Sequence, residues 1–104
     1  MKKRSTAPEL EPAQIERLVV LMEELAEAGQ AAAKVLRHGY AEGHPNYFDT
    51  NRDHLLKELG DVLAAVRLLE ANGDLDLLTI IGASDEKLER LPEYLHHEHV
   101  FPKR

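Results

Sequence analysis

From Pro12 to His38 the apolar positions recur every three or four residues, and Leu, Ala, Glu, Lys and Arg fill most of the rest. That spacing predicts one long helix. Pro12 suits its first turn, where a missing N–H has no partner to lose, and Gly39 suits its C-terminal cap. On a wheel at about 100° per residue, Ile15, Leu18, Met22, Leu25 and Gly29 form one apolar stripe, flanked by solvent-facing Glu16, Glu23, Gln30 and Arg37. Val20, Ala28, Ala31 and Val35 make a second apolar surface on the other side. Between Gly39 and Thr50 the composition shifts to loop chemistry, with Tyr40, Gly43, His44, Pro45, Asn46 and Asp49. A second helix is expected from about Asn51 to the capping pair Asn72-Gly73, with Leu55, Leu59, Leu63 and Val66 as its main core stripe. Leu75 to Ile81 predicts a shorter third helix, and Ser84 the N-cap of a fourth through Leu88 and Leu91, broken by Pro92. The run Leu77 to Ile81 could pass alone for a buried strand, but no alternating period demands a sheet. The expected fold is all-α, a helical bundle built on a long antiparallel helix hairpin plus shorter C-terminal helices, completed by oligomerisation.

With 104 residues the chain has room for one domain. A flexible arm is expected over 1–11, a folded unit over 12–95 and a polar tail over 96–104. A domain this small buries only about 60 to 65% of the surface its unfolded chain exposes, so a homodimer or homotetramer is favoured. Ala31, Ala32 and Ala33 would permit close helix approach. A net charge of −6 argues against nucleic acid or anionic membrane as partner. The absence of cysteine excludes disulfides, thiolate metal sites and thiol nucleophiles. No stretch approaches the roughly 18 apolar residues of a membrane helix, and Met1-Lys2-Lys3-Arg4 precedes no apolar run. The expectation is an unprocessed cytoplasmic protein.

The acids on the second apolar surfaces carry the chemistry. Glu24 and Glu27 fall beside Val20, Ala28, Ala31 and Val35; Glu58 and Asp61 project beside His54, Ala65, Leu68 and Leu69. Side chains three apart on a helix stand about 5 to 6 Å apart at Cβ, so each pair can offer two carboxylates to one cation. In an antiparallel hairpin the two pairs can meet, and each pair of charges would then repel by roughly 3 kcal/mol at an effective dielectric of 20. Protons or a divalent metal must compensate. Either pair alone reads as ordinary solvated charge, whereas two pairs interrupting two apolar faces do not. Oxygen-only ligands favour Mg²⁺ or Mn²⁺, and Mg²⁺ characteristically binds through few carboxylates together with substrate phosphates.

Glu23-Glu24-Leu25-Ala26-Glu27 followed by Glu58-Leu59-Gly60-Asp61-Val62 resembles the Glu-Glu-x-x-Glu and Glu-x-x-Asp signature of the MazG-like all-α nucleoside triphosphate pyrophosphohydrolases. The similarity extends through Ala33 to Gly39 and Asn51 to Leu69, about the middle half of the chain. The resemblance implies hydrolysis of a (deoxy)nucleoside triphosphate to the monophosphate and pyrophosphate, with Mg²⁺, or Mn²⁺ as substitute, held by Glu24, Glu27, Glu58 and Asp61. Water is then the nucleophile, activated beside the cation, and Glu27 is the expected acceptor of its proton. In the antiparallel hairpin Lys34, His38, Asn51 and His54 lie on the loop side of these acids, where they can meet phosphate or sugar; Asn51 also fits a helix N-cap. Lys87 and Arg90, three apart near the end of the helical region, are candidates for a phosphate clamp. Thirty residues separate Glu27 from Glu58, at the long end of the family's range, and the chain has no tryptophan. Tyr40, Tyr47 or Phe48 would have to replace the base stacking that dCTP-hydrolysing relatives give to tryptophan.

Other readings remain. Phosphoribosyl-ATP pyrophosphohydrolase shares the carboxylate logic, and a non-catalytic helical dimerisation module would share the excess apolar surface. Glu93-x-x-His96 has di-iron spacing but lacks the second such motif, and His96, His97 and His99 sit in a polar stretch beyond Pro92.

Overall fold

The computed structural model describes residues 9–43 and 49–103. It contains α1 (Pro12–His38), α2 (Asn51–Ala71), α3 (Leu77–Arg90) and a 3-10 turn at Leu91–Glu93. The described residues hold no strand, and a single antiparallel bridge joins Gly43 to Thr50. The all-α expectation therefore holds. The expectations for Tyr47, Phe48 and most of the N-terminal arm lie outside the described residues.

Both long helices begin and end where local chemistry sets them. Glu11 and Gln14 form a reciprocal capping box at the start of α1, with Pro12 in the first turn. Gly39 ends the helix at φ 87°, a conformation glycine adopts without a Cβ penalty, and its N–H donates to Val35 O at 2.7 Å. At the start of α2 the cap is Thr50, not Asn51: Thr50 Oγ1 accepts from Asp53 N, and Asp53 Oδ2 accepts from Thr50 N, both at 3.1 Å. Asn51 is buried and its amide donates to Gly39 O at 3.0 Å, while its backbone N–H donates to Glu42 O at 2.7 Å. These bonds draw the two ends of the connecting loop together and fix the hairpin as antiparallel. At the opposite end Arg17 grips Asp74 with two bonds, Nε to Oδ2 at 2.6 Å and a terminal guanidinium nitrogen to Oδ1 at 3.2 Å. That grip holds the Asp74 carboxyl below its ordinary range.

Two expectations change. The third and fourth helices are one: α3 runs unbroken through Gly82 and Ser84. Its start is fixed by Asp76, which accepts from Leu78 N at 3.3 Å and from the Thr79 hydroxyl at 2.6 Å, so no second cap at Ser84 is needed. Gly82 costs about 1 kcal/mol in a helix, too little to end one. The larger change concerns which faces meet. α1 packs on α2 through Arg17, Val20, Leu21, Glu24, Ala28, Ala31 and Val35, all buried or half-buried. The facing side of α2 carries Asn51, His54, Glu58, Asp61, Ala65 and Leu69. The stripe expected to be the core of α1 points outward, with Met22 70% exposed and Ile15, Leu18 and Leu25 exposed beside it; on α2 the expected stripe divides, Leu59 and Leu63 being exposed while Leu55 and Val66 are half-buried. Small residues explain the choice, because Ala28, Ala31 and Ala65 let the helix axes approach where rows of Leu and Met would hold them apart. Among the described residues, the fully buried large side chain is Leu69.

Candidate metal centre

Placing the acid-bearing faces in the hairpin seam brings the two sequence motifs together. Glu24, Glu27, Glu58 and Asp61 each offer one carboxylate oxygen, and the four atoms lie within 4.8 Å of one another. Glu24 and Glu27 come from one turn of α1, Glu58 and Asp61 from one turn of α2. The antiparallel register, pinned at Arg17–Asp74 on one side and Asn51–Gly39 on the other, sets them level.

Their environments differ. Glu58 is only 6% exposed, Glu24 and Asp61 are half-buried, and Glu27 faces solvent. On the Glu58 carboxylate, Oε1 lies 3.2 Å from His54 Nε2 and 3.8 Å from Lys57 Nζ. Its Oε2 is buried with no partner, as is Oε2 of Glu24. Burial pushes the Glu24 carboxyl up from its ordinary value, and repulsion from Glu27, Asp61 and Glu58 adds to the rise. Lys57 Nζ sits 3.0 Å from Asp61 Oδ2, a bond that raises the lysine's own pKa.

Two orphaned anionic oxygens in a seam are costly unless something positive joins them. Oxygens around one octahedral ion at about 2.0 to 2.1 Å stand roughly 3 to 4 Å apart, so a spread of at most 4.8 Å needs only a small inward movement. All four donors are hard oxygens, which suits Mg²⁺ or Mn²⁺ and not a soft metal. The residues fit a divalent ion.

The remaining candidates divide. Lys34, His38 and Asn51 line one open depression with Glu42 and Gly43, about 200 Å³ in volume, on the loop side of the acids. His54 is turned instead to Glu58, one turn away on its own helix. Lys87 and Arg90 belong to α3, which meets the hairpin mainly at the far end of α2; Lys87 lies over the Tyr94 ring at 5.5 Å, and neither residue lines that depression. Tyr40 already carries the Arg52 guanidinium over its ring at 4.9 Å. Sequence reasoning missed Lys57, although its i, i+4 spacing to Asp61 was a usable signal. The Arg17–Asp74 clamp had no signal, since 57 positions separate its members.

Compared with known proteins, the chain matches no family model, no curated protein and no solved structure.

Proposed function

We propose that this protein is a divalent-metal-dependent pyrophosphohydrolase of the MazG-like all-α kind, converting a (deoxy)nucleoside triphosphate to the monophosphate and pyrophosphate. The observation that carries the reading is the convergence of Glu24, Glu27, Glu58 and Asp61 in the seam, with Glu24 Oε2 and Glu58 Oε2 buried and partnerless. Carboxylates alone would leave these positions repelling one another; Mg²⁺ or Mn²⁺ held by them with a polyphosphate would balance the charge. When bound, such an ion polarises phosphate oxygens and lowers the pKa of water.

The chain's own residues divide the remaining tasks. Glu27, the solvent-facing acid, accepts the proton of the attacking water. Glu58, with Oε1 held beside His54, leaves Oε2 buried and free for an ion. Lys34 and His38 offer donors to phosphate or sugar from the loop-side depression, and Asn51, whose amide is engaged by Gly39, shapes its wall. Lys87 and Arg90 would reach the substrate only from another copy of the chain or after a movement of α3. Association of two or four copies through the exposed Ile15–Leu25 and Leu56–Leu63 stripes would cover the apolar surface that the hairpin leaves open. Such an enzyme would work in the cytoplasm.

The test is pyrophosphate release from a panel of common and damaged nucleoside and deoxynucleoside triphosphates, with phosphoribosyl-ATP included, in Mg²⁺, Mn²⁺ or EDTA. Release that needs the metal and is abolished in Glu58→Gln is expected. A panel with no release in either metal refutes the enzyme reading and leaves a helical dimerisation module.

A further inference from the structure

One cation already stands at the acidic cluster. The Lys57 side chain is 68% exposed, yet its ammonium is not free in solvent: it reaches back over one turn of α2 to Asp61 Oδ2 at 3.0 Å and lies 3.8 Å from Glu58 Oε1. It therefore engages both acids that α2 contributes to the seam. Glu24 Oε2 and Glu58 Oε2 are buried and have no hydrogen-bond partner. One lysine thus stands against four acids, and two of their buried oxygens remain unpaired.

We propose that Lys57 is a displaceable counter-cation that sets the affinity of the cluster for divalent ions. The proposal rests on the metal-centre reading above. Without a divalent ion, the lysine ammonium offsets part of the repulsion among four carboxylates. When a doubly charged ion is drawn to the same oxygens, two cations share Asp61, and their repulsion weakens the ion's hold until the flexible lysine stem swings away. The side chain's exposure allows that movement at little steric cost, and no other described side chain hydrogen-bonds Lys57 Nζ. The displaced ammonium then stands at the rim of the cluster, free to meet the anionic substrate that accompanies the ion. Lys57 would in this way make metal loading depend on substrate: the ion alone must compete with it, whereas ion and polyphosphate together give it a new partner.

Isothermal titration of the full chain with MnCl₂ and MgCl₂ at neutral pH and low salt tests this in wild type, Lys57→Met, Lys57→Arg and Glu58→Gln. Because exposed ion pairs are modest, Lys57→Met is expected to bind Mn²⁺ about fivefold more tightly, with Lys57→Arg unchanged from wild type. In EDTA, Lys57→Met is expected to melt below wild type and Lys57→Arg alongside it. Equal or weaker Mn²⁺ binding by Lys57→Met, or melting in EDTA no lower than wild type, overturns the proposal. Loss of binding in Glu58→Gln with no gain in Lys57→Met defeats the lysine's role and keeps the metal centre; absence of binding in wild type defeats both.

Discussion

Replacing Glu58 by glutamine keeps the side chain's shape and removes one charge from the seam. At 4.8 Å, the outer limit of spacing within the cluster, two unit charges repel by about 3.5 kcal/mol at an effective dielectric of 20. The substitution also gives up the attractions of His54 and Lys57 for Glu58 Oε1, both weakened by solvent. The new amide can donate to the orphaned oxygen of Glu24, which recovers part of that loss. The balance favours the metal-free variant by about 1 kcal/mol, or roughly 4 to 8 °C in melting temperature for a domain of this size. Divalent ions reverse the order. An ion at a hundred times its Kd stabilises the wild type by about 2.7 kcal/mol, equivalent to roughly 10 to 20 °C, and the variant gains little. Circular-dichroism melts in EDTA and across a Mg²⁺ or Mn²⁺ titration measure both effects. A Glu58→Gln protein that melts well below wild type in EDTA, beside a wild type that divalent ions leave unmoved, would refute the reasoning and make these acids structural partners.

Four further outcomes are expected. Since the Glu24 carboxyl is raised above 4.5, the folded chain binds more protons there than the unfolded one just above that pH, and stability from this group falls as pH rises through the window. In EDTA, Glu24→Gln should therefore melt above wild type at neutral pH, with a gap that narrows as pH falls toward 4.5; a constant gap contradicts the cause assigned to the shift. Asp74 behaves oppositely: held below 3.8 by Arg17, it contributes stability above that pH that is lost as pH falls through its lowered value. Asp74→Asn should melt below wild type at neutral pH and converge with it only in strong acid. Leu69→Ala, at a position with 0% exposure, should cost about 2 to 5 kcal/mol by urea unfolding, and a cost under about 1 would misplace the core. Leu63→Asp, on the outward stripe of α2, should convert an associated species to monomer in sedimentation while leaving helicity intact; a wild type already monomeric removes the oligomer proposal.

The helix boundaries were legible because local rules set them. Pro12, Gly39 and the Asn72-Gly73 pair stand at the ends of the two long helices for reasons confined to a few neighbouring residues. The four acids were legible too, since their i, i+3 spacing on apolar surfaces is a property of each helix alone. The facing sides were not. A wheel ranks faces by hydrophobicity, and on that measure Ile15, Leu18, Met22 and Leu25 outrank Val20, Ala28, Ala31 and Val35. Close approach of two helices depends instead on how small the intervening side chains are, a property of the pair. Likewise His54 and Lys57 take their roles from the direction in which their side chains turn at Glu58 and Asp61. Ser84 misled because a good cap sequence does not act where Asp76, eight residues earlier, has already started a helix.

Setting Glu24 and Glu58 where a hairpin would ordinarily keep leucines opposes the seam's stability to the proposed metal site. A chain with Leu at Glu24 and Glu58 should zip together more firmly and stand up to heat, and it would lose the proposed metal site. Within the hairpin, the clasp between Arg17 and Asp74 at its far end offsets part of that cost.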